Sequence, residues 1–447
     1  MDRRTFLKAT GGVAAGAALS PELLKAAASQ IQHIVVVMME NRSFDHLLGW
    51  LPNADGKQSG LQYTDASGVS HATHHLAPDW TGCAYNDPDH SYGGARIEVD
   101  NGLMDGFMQT SAADVYAIGY YEESDNQFLS KFARLFTTCD MYFPSLLGPT
   151  FPNRIFQLCG QTDRLDDSLT FCSYPTIFDQ CNQAGVAAKY YYNNVPVLAL
   201  FSTDAIIYAH AFSEFLSDCA SGSLPAVSFV DPAFTLATNT SNDNHPHSDI
   251  RNGDAFLAQV YHAVAASPAW NNTVLVLNYD EWGGFFDHVP PPRALAPNNT
   301  DTDLVDGKAL LGCRTPCIVA SPWTVGGESI REPWAQVLPR PTHVNHTLVN
   351  HTVFDHTSVL KMIESVFNVP PMAARETSND VGNLLSAIDL NRAPMGAPPL
   401  PQPQPVIPQT LCASSISPGG GLARPYEPNS FQRLERVALQ RGWRVYR

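Results

Sequence analysis

The chain has 447 residues, with 27 Lys and Arg against 43 Asp and Glu and a formal net charge of −16. At 44% hydrophobic and 16% charged residues it has the composition of a globular protein long enough to bury a sizeable core. No apolar run reaches the ~18 residues that a membrane-spanning helix needs, and the acidic balance argues against a nucleic-acid coat, which needs clustered Lys and Arg.

The N-terminus carries Arg3-Arg4 ahead of a weakly apolar, Ala/Gly-rich stretch from Ala9 to Leu19. That pattern is the address of the twin-arginine exporter, which moves folded proteins. The small-residue run Ala26-Ala27-Ala28 offers a cleavage site, so residues 1–28 are read as a signal peptide. Folding before export is compatible with metal loading in the cytoplasm. The nine cysteines form no CxxC motif, so a cysteine-type zinc site is not expected, and their pairing is not legible.

Five short apolar runs read as buried strands: Ile34 to Met39, Ala188 to Tyr192, Ala226 to Val230, Thr273 to Asn278 and Pro316 to Ala320. Helical periodicity marks Ile250 to Ala265 and Thr357 to Phe367. Buried strands alternating with helices predict an α/β fold, a mostly parallel sheet covered on both faces, within a body spanning residues 29–392. Residues 393–447 read as a Pro-rich linker followed by a basic tail. From Phe431 to Arg447 the tail has five Arg against one Glu, and Leu434, Val437 and Ala438 share a helical face. Such a helix suits docking on an acidic body or peripheral contact with a membrane surface, and packing is the expected role.

Two of the strands run into acidic residues. Ile34–Met39 leads to Glu40-Asn41, and Thr273–Asn278 leads through Tyr279 to Asp280-Glu281 and then Gly283-Gly284. Ligands of parallel α/β sheets bind beyond the carboxyl ends of the strands. Buried carboxylates there are costly without a cation or hydrogen bonds. Glu40, Asn41, Asp280 and Glu281 together offer hard oxygen ligands for a divalent metal ion. Because successive strand residues point to opposite faces, both members of each pair can reach one ion only where the strand ends, and the glycines permit that turn. Thr150, in Gly148-Pro149-Thr150-Phe151-Pro152, stands at the start of an amphipathic stretch, either as a nucleophile facing free helix N–H groups or as a simple N-cap. His90 and His245 lie in polar, Pro-marked loops as candidate phosphate ligands or leaving-group acids.

The string Met39-Glu40-Asn41-Arg42-Ser43-Phe44-Asp45-His46 resembles the opening signature of the bacterial phosphoesterase family of phospholipases C and a related acid phosphatase. Similar strings follow in order: Asp87-Pro88-Asp89-His90, Gly148 to Arg154, Asn244-His245-Pro246, Tyr279 to Pro292, Ser321-Pro322-Trp323 and Phe354 to Leu360. The resemblance implies an alkaline-phosphatase-like α/β/α core and a divalent metal ion held by Glu40, Asn41, Asp280 and Glu281. It implies Thr150 as both metal ligand and nucleophile, with His90 and His245 holding or protonating the phosphoryl group. Asp287 and His288 would form a supporting shell, and His356 would cap the helix beginning near Thr357. In the family, Thr at the nucleophile position goes with the phospholipase C branch and Ser with the acid phosphatase. The expected activity is therefore cleavage of a phospholipid such as phosphatidylcholine through a phosphothreonine intermediate, in a periplasmic or secreted protein. A broad acid phosphatase acting on monoesters is the alternative. Trp80, Tyr85, Tyr92, Tyr120, Tyr121 and Trp282 offer a quaternary-ammonium cage or, more ordinarily, core and cleft walls.

Overall fold

The computed structural model describes residues 20–234, 241–324, 348–407 and 429–446. The twin arginine Arg3-Arg4 and Cys412 lie outside the described residues. Seven cysteines, all buried, are free thiols, and Cys83 is disulfide-bonded.

The central sheet has eight strands: β1 (His33–Met39), β2 (Thr137–Cys139), β3 (Ala188–Tyr192), β4 (Ala209–Ala211), β5 (Val227–Asp231), β6 (Thr273–Tyr279), β7 (Cys317–Ala320) and β8 (Val349–Asn350). Their spatial order is β8-β2-β7-β6-β1-β5-β3-β4. Neighbours pair parallel except around β7, which runs antiparallel to both β6 and β2. The helices that matter here are α1 (Pro21–Gln30), α2 (Leu129–Leu135), α3 (Thr150–Cys159), α4 (Ile250–Ala266), α5 (His356–Phe367) and α6 (Ser430–Gln440).

The apolar runs of β1 and β6 are continuous because both faces are covered. Ile34, Val36, Val274 and Val276 pack with Ala27 of α1, Ile155 of α3, Leu360 of α5 and Leu434 of α6. Val35, Val37, Leu275 and Leu277 face the other layer, with Phe132 of α2 and Tyr261 of α4. The expected α/β/α sandwich is the architecture observed. The strands β2, β4 and β8 carried no sequence signal, since two or three residues are too few to show a period of two.

Residues 21–30, 393–407 and 429–446 are more integrated than their composition implies. The Ala26-Ala27-Ala28 run lies inside α1, opened by Ser20 as N-cap and Pro21, and Ala27 is fully buried. The Pro-rich segment is pinned to the body: Trp270 Nε1 donates to the Met395 carbonyl at 3.1 Å and Tyr261 Oη to the Pro398 carbonyl at 2.6 Å. The basic tail docks through α6, which buries Phe431, Leu434 and Ala438, and through Trp443 just beyond it, which is the packing role its sequence predicts.

Candidate active site

Strands β1 and β6 are adjacent and parallel, in a register that sets Met39 opposite Tyr279. Glu40-Asn41 and Asp280-Glu281 therefore leave the sheet side by side at its carboxyl edge, and all four are fully buried. Asn41 takes a left-handed conformation (φ 50°) and donates its backbone N–H to Asp280 Oδ1 at 3.0 Å. The Glu281 N–H donates to the same oxygen at 2.8 Å. Gly283 is left-handed as well, and a Cβ there would stand 2.2 Å from the Asn41 carbonyl oxygen, so the turn admits only glycine.

Arg154, in the second turn of α3, holds these groups together. Its Nε donates to Glu40 Oε1 at 2.7 Å and to Asp280 Oδ2 at 3.2 Å, and its Nη1 to Asp231 Oδ1 at 3.1 Å. Its Nη2 reaches the Met38 and Met39 carbonyls at 3.2 and 3.3 Å. One guanidinium thus faces Glu40, Asp231 and Asp280, with Glu281 beside them. Burial pushes the Glu40 and Glu281 carboxyls well above the usual carboxylate range, opposed by Arg154 at Glu40 and by His90 at Glu281. Glu40 Oε2 and Glu281 Oε1 have no hydrogen-bond partner among the described residues. Buried carboxyl oxygens without partners, in a site with more negative than positive charge, are the donor set a hard divalent cation requires, so these residues fit such an ion.

Thr150 is the first residue of α3, with Pro149 as N-cap, so it does not cap the helix itself. Its Oγ1 donates to Asn41 Oδ1 at 3.3 Å, which places the hydroxyl against the strand ends. Asp167, which carried no sequence signal, accepts the Phe151 N–H at 2.9 Å and serves the helix start instead. Asn153 fixes the preceding turn: its amide accepts from Leu146 N and donates to the Leu146, Gly148 and Pro149 carbonyls at 2.9–3.1 Å. The motif from Gly148 to Arg154 therefore carries the Thr150 hydroxyl and the guanidinium that faces the strand-end carboxylates on one helix start.

His90 and His245 meet over Thr150. A cleft of about 500 Å³ is lined by Glu40, Asp87, His90, Thr150, Asp167 and His245, with part of the C-terminal segment. The two imidazoles stand edge to face, 5.9 Å apart. The His90 loop is seated by Gly284, where a Cβ would approach Pro88 Cβ to 2.7 Å. The His245 loop is held to both strand ends: Glu40 N–H donates to the Asp243 carbonyl at 2.8 Å, and Asn244 Nδ2 to Tyr279 Oη at 2.8 Å. Burial alone would lower the pKa of His90, but Glu281, Asp87 and Asp167 outweigh it and raise it to about 10. Asp87, His90 and His245 offer ligand atoms within 4.8 Å of one another, a group able to hold a metal ion. His247 turns away, its Nε2 toward the Tyr85 carbonyl at 3.1 Å.

Asp287 and His288 belong to a neighbouring cluster. Arg314 donates to Asp287 Oδ1 at 3.0 Å and to Asp45 Oδ1 at 3.2 Å, and His288 Nδ1 meets Asp45 Oδ2 at 2.5 Å. The cluster ties the segment after β1 to the segment after β6, and Asp45, Asp287 and His288 form a second group with metal-ligand spacing. His356 does not cap its helix. Asp355 is the N-cap, in a capping box with Ser358. His356 Nε2 instead donates to the Asp280 carbonyl at 2.8 Å, and its Nδ1 accepts from Tyr142 Oη at 3.0 Å. Burial lowers its pKa to about 4, so the ring is neutral and both bonds are consistent with one tautomer. None of the candidate cage aromatics lines the cleft. Trp80 stacks near Tyr121 and Tyr85 on Tyr116, Tyr92 bonds Asp301, and Trp282 is buried against Glu98.

The sequence profile of the phosphoesterase family matches residues 31–197 and 163–370, which take in all of these groups except the C-terminal segment that lines the cleft. The chain belongs to this family. Residues 1–20 match the twin-arginine translocation signal, and this phosphoesterase-family protein is exported to the periplasm or beyond. It is 32% identical over 336 residues to non-specific phospholipase C6 of Arabidopsis thaliana, a match covering 68% of this chain and 64% of the relative. It is 29% identical over 485 residues to phospholipase C A of Mycobacterium tuberculosis, covering 89% and 87% respectively. Among solved structures it is similar to a protein of the alkaline phosphatase superfamily from Vibrio parahaemolyticus, at 10% identity and a TM-score of 0.36, covering 84% of this chain and 76% of that one.

Proposed function

We propose that the protein is a metal-dependent phosphoesterase of the phospholipase C type, cleaving the phosphodiester of a phospholipid such as phosphatidylcholine to diacylglycerol and a phosphorylated headgroup. The observation that carries this reading is the placement of the Thr150 hydroxyl at a helix start, beside Asn41 and under His90 and His245. The activity named for the plant and mycobacterial relatives supports it.

Glu40, Asn41, Asp280 and Glu281, with Thr150, would hold the divalent ion, which when bound supplies Lewis-acid charge toward the threonine hydroxyl and the phosphoryl oxygens. Thr150 Oγ1 gives up its proton to solvent and forms a bond to phosphorus as the bond to the diacylglycerol oxygen breaks. The departing oxygen takes a proton from His90 or His245. The two imidazoles orient the phosphoryl oxygens. Water then adds to phosphorus, the bond to Thr150 Oγ1 breaks, and the phosphorylated headgroup leaves with the hydroxyl restored. A phosphomonoesterase is the second reading, favoured by the lack of any of the candidate cage aromatics in the cleft.

The test compares p-nitrophenyl-phosphorylcholine with p-nitrophenyl phosphate, before and after chelation. Chelator-sensitive release from the choline diester is expected, and release from the monoester alone moves the protein to the second reading. Thr150→Ala should lower turnover by about three orders of magnitude or more with the fold intact. Retained turnover would remove Thr150 as the nucleophile.

A further inference from the structure

One side of the cleft that Thr150 lines is formed by the start of α6. Ser430, Phe431 and Arg433 of α6 line it with Thr150, His90 and His245. Phe431 stacks on Phe234 with centroids 3.7 Å apart and meets Phe151, the residue after the nucleophile, edge to face at 5.5 Å. Further along, the Arg441 guanidinium donates to the Ala199 and Leu169 carbonyls at 2.7 and 3.0 Å. Ser430 Oγ donates to Asp167, whose other oxygen serves the start of α3. The first turns of α3 and α6 thus share one carboxylate, although they lie more than 250 residues apart in the chain.

Arg433 is different in kind from these docking residues. It is exposed, and its guanidinium makes two hydrogen bonds, both long at 3.4 Å, to the Asp167 carbonyl and Ser430 Oγ. Among the described residues lining the cleft it is the one Lys or Arg. A guanidinium with donors to spare binds phosphate oxygens in pairs, whereas a quaternary ammonium needs free ring faces. The aromatic ring in the cleft, Phe431, has one face on Phe234, and Arg154 approaches it at 5.8 Å.

We infer that Arg433 is a specificity-determining residue that binds an anionic phosphoryl oxygen of the substrate, so that a phosphoester carrying two negative charges gains more from it than a zwitterionic choline diester does. This deepens the phosphoesterase reading and rests on it.

The full-length protein and its Arg433→Gln, Arg433→Lys and Arg433→Glu variants are assayed on p-nitrophenyl phosphate and p-nitrophenyl-phosphorylcholine. Arg433→Gln should lower kcat/KM for the monoester about tenfold, equivalent to about 1.4 kcal/mol, chiefly through KM. It should change the choline diester less than about threefold. Arg433→Lys should restore part of the loss, and Arg433→Glu should move the preference further toward choline. Equal losses on both esters, accompanied by a lower unfolding midpoint, would make Arg433 structural and overturn the inference, as would no change on either. If the wild type hydrolyses neither ester, the phosphoesterase reading fails separately. Calorimetric titration with inorganic phosphate then judges Arg433: binding that weakens about tenfold in Arg433→Gln sustains it, and equal or absent binding overturns it.

Discussion

Replacing Arg154 with methionine keeps the apolar stem of the side chain and removes its charged head. In the wild type the guanidinium serves Glu40, Asp231 and Asp280 and donates to two backbone carbonyls, with 3% of its side chain exposed. Removing one partner of a buried ion pair costs about 3–5 kcal/mol, and each backbone acceptor left unpaired adds roughly 1–3 kcal/mol. The sum overstates the effect, because Glu40 is already pushed toward its neutral form and can take up a proton instead. A loss of about 4–6 kcal/mol is expected, a large share of the ~5–15 kcal/mol that holds a typical domain. Urea unfolding followed by tryptophan fluorescence, in the presence of chelator, measures it. Added divalent cation should then raise the variant's midpoint more than the wild type's, since the site has lost its fixed positive charge and binding to the native state adds stability by mass action. Arg154→Lys keeps the charge but loses the planar fork, and should fall between the two. A variant within about 1 kcal/mol of the wild type, with the same cation response, would refute the picture of one guanidinium balancing these carboxylates.

Chelation of the wild type should itself lower the unfolding midpoint, with recovery on adding a divalent cation; a midpoint indifferent to both would remove the metal from the site. Burial and the charge of neighbouring Glu376 push Glu364 of α5 up to about 9. A carboxyl raised in the folded state stabilises below its ordinary value near 4.5 and loses that contribution as pH climbs toward 9. Stability should therefore decline between neutral and alkaline pH, and Glu364→Gln should flatten the slope; identical slopes would exclude this pair as the cause. Deleting residues 20–30 removes α1, with Ala27 fully buried and Leu23 and Leu24 packed on the core, and should cost roughly 2–4 kcal/mol. Mass spectrometry of the exported protein should accordingly find a mature N-terminus ahead of Pro21, and one beginning at Ser29 would show that α1 is dispensable. Tyr142→Phe leaves Asn278 Nδ2 with Gln157 Oε1 alone and strands His356 Nδ1, the two groups that the Tyr142 hydroxyl joins at 2.7 and 3.0 Å. Denaturation should show a loss of about 1–2 kcal/mol, and no loss would mean that the bridge from Asn278 to the Asp280 carbonyl does not support the site.

Much of the site was legible because its pieces are local. β1 and β6 are buried on both faces, so each appears as an unbroken apolar run, and a carboxylate or amide directly after such a run stands out. Gly283 and Gly284 announce a turn, and Thr150 announces a helix start. What sequence could not show is pairing. Arg154 stands in the same motif as Thr150, yet its ionic partners lie 77 to 126 residues away. The acidic Asp167 reads as any loop residue until it is seen at the Phe151 N–H. The basic tail was legible as an amphipathic helix, but not that its first turn lines the cleft, because an apolar stripe states only that something must cover it. Composition and periodicity determine which segments form strands and helices and which residues can do chemistry, since these depend on neighbours a few positions apart. The register of Met39 against Tyr279, the placement of Arg154 and the docking of α6 are decided by packing among distant segments, where burial of apolar surface and the need to balance buried charge select one arrangement.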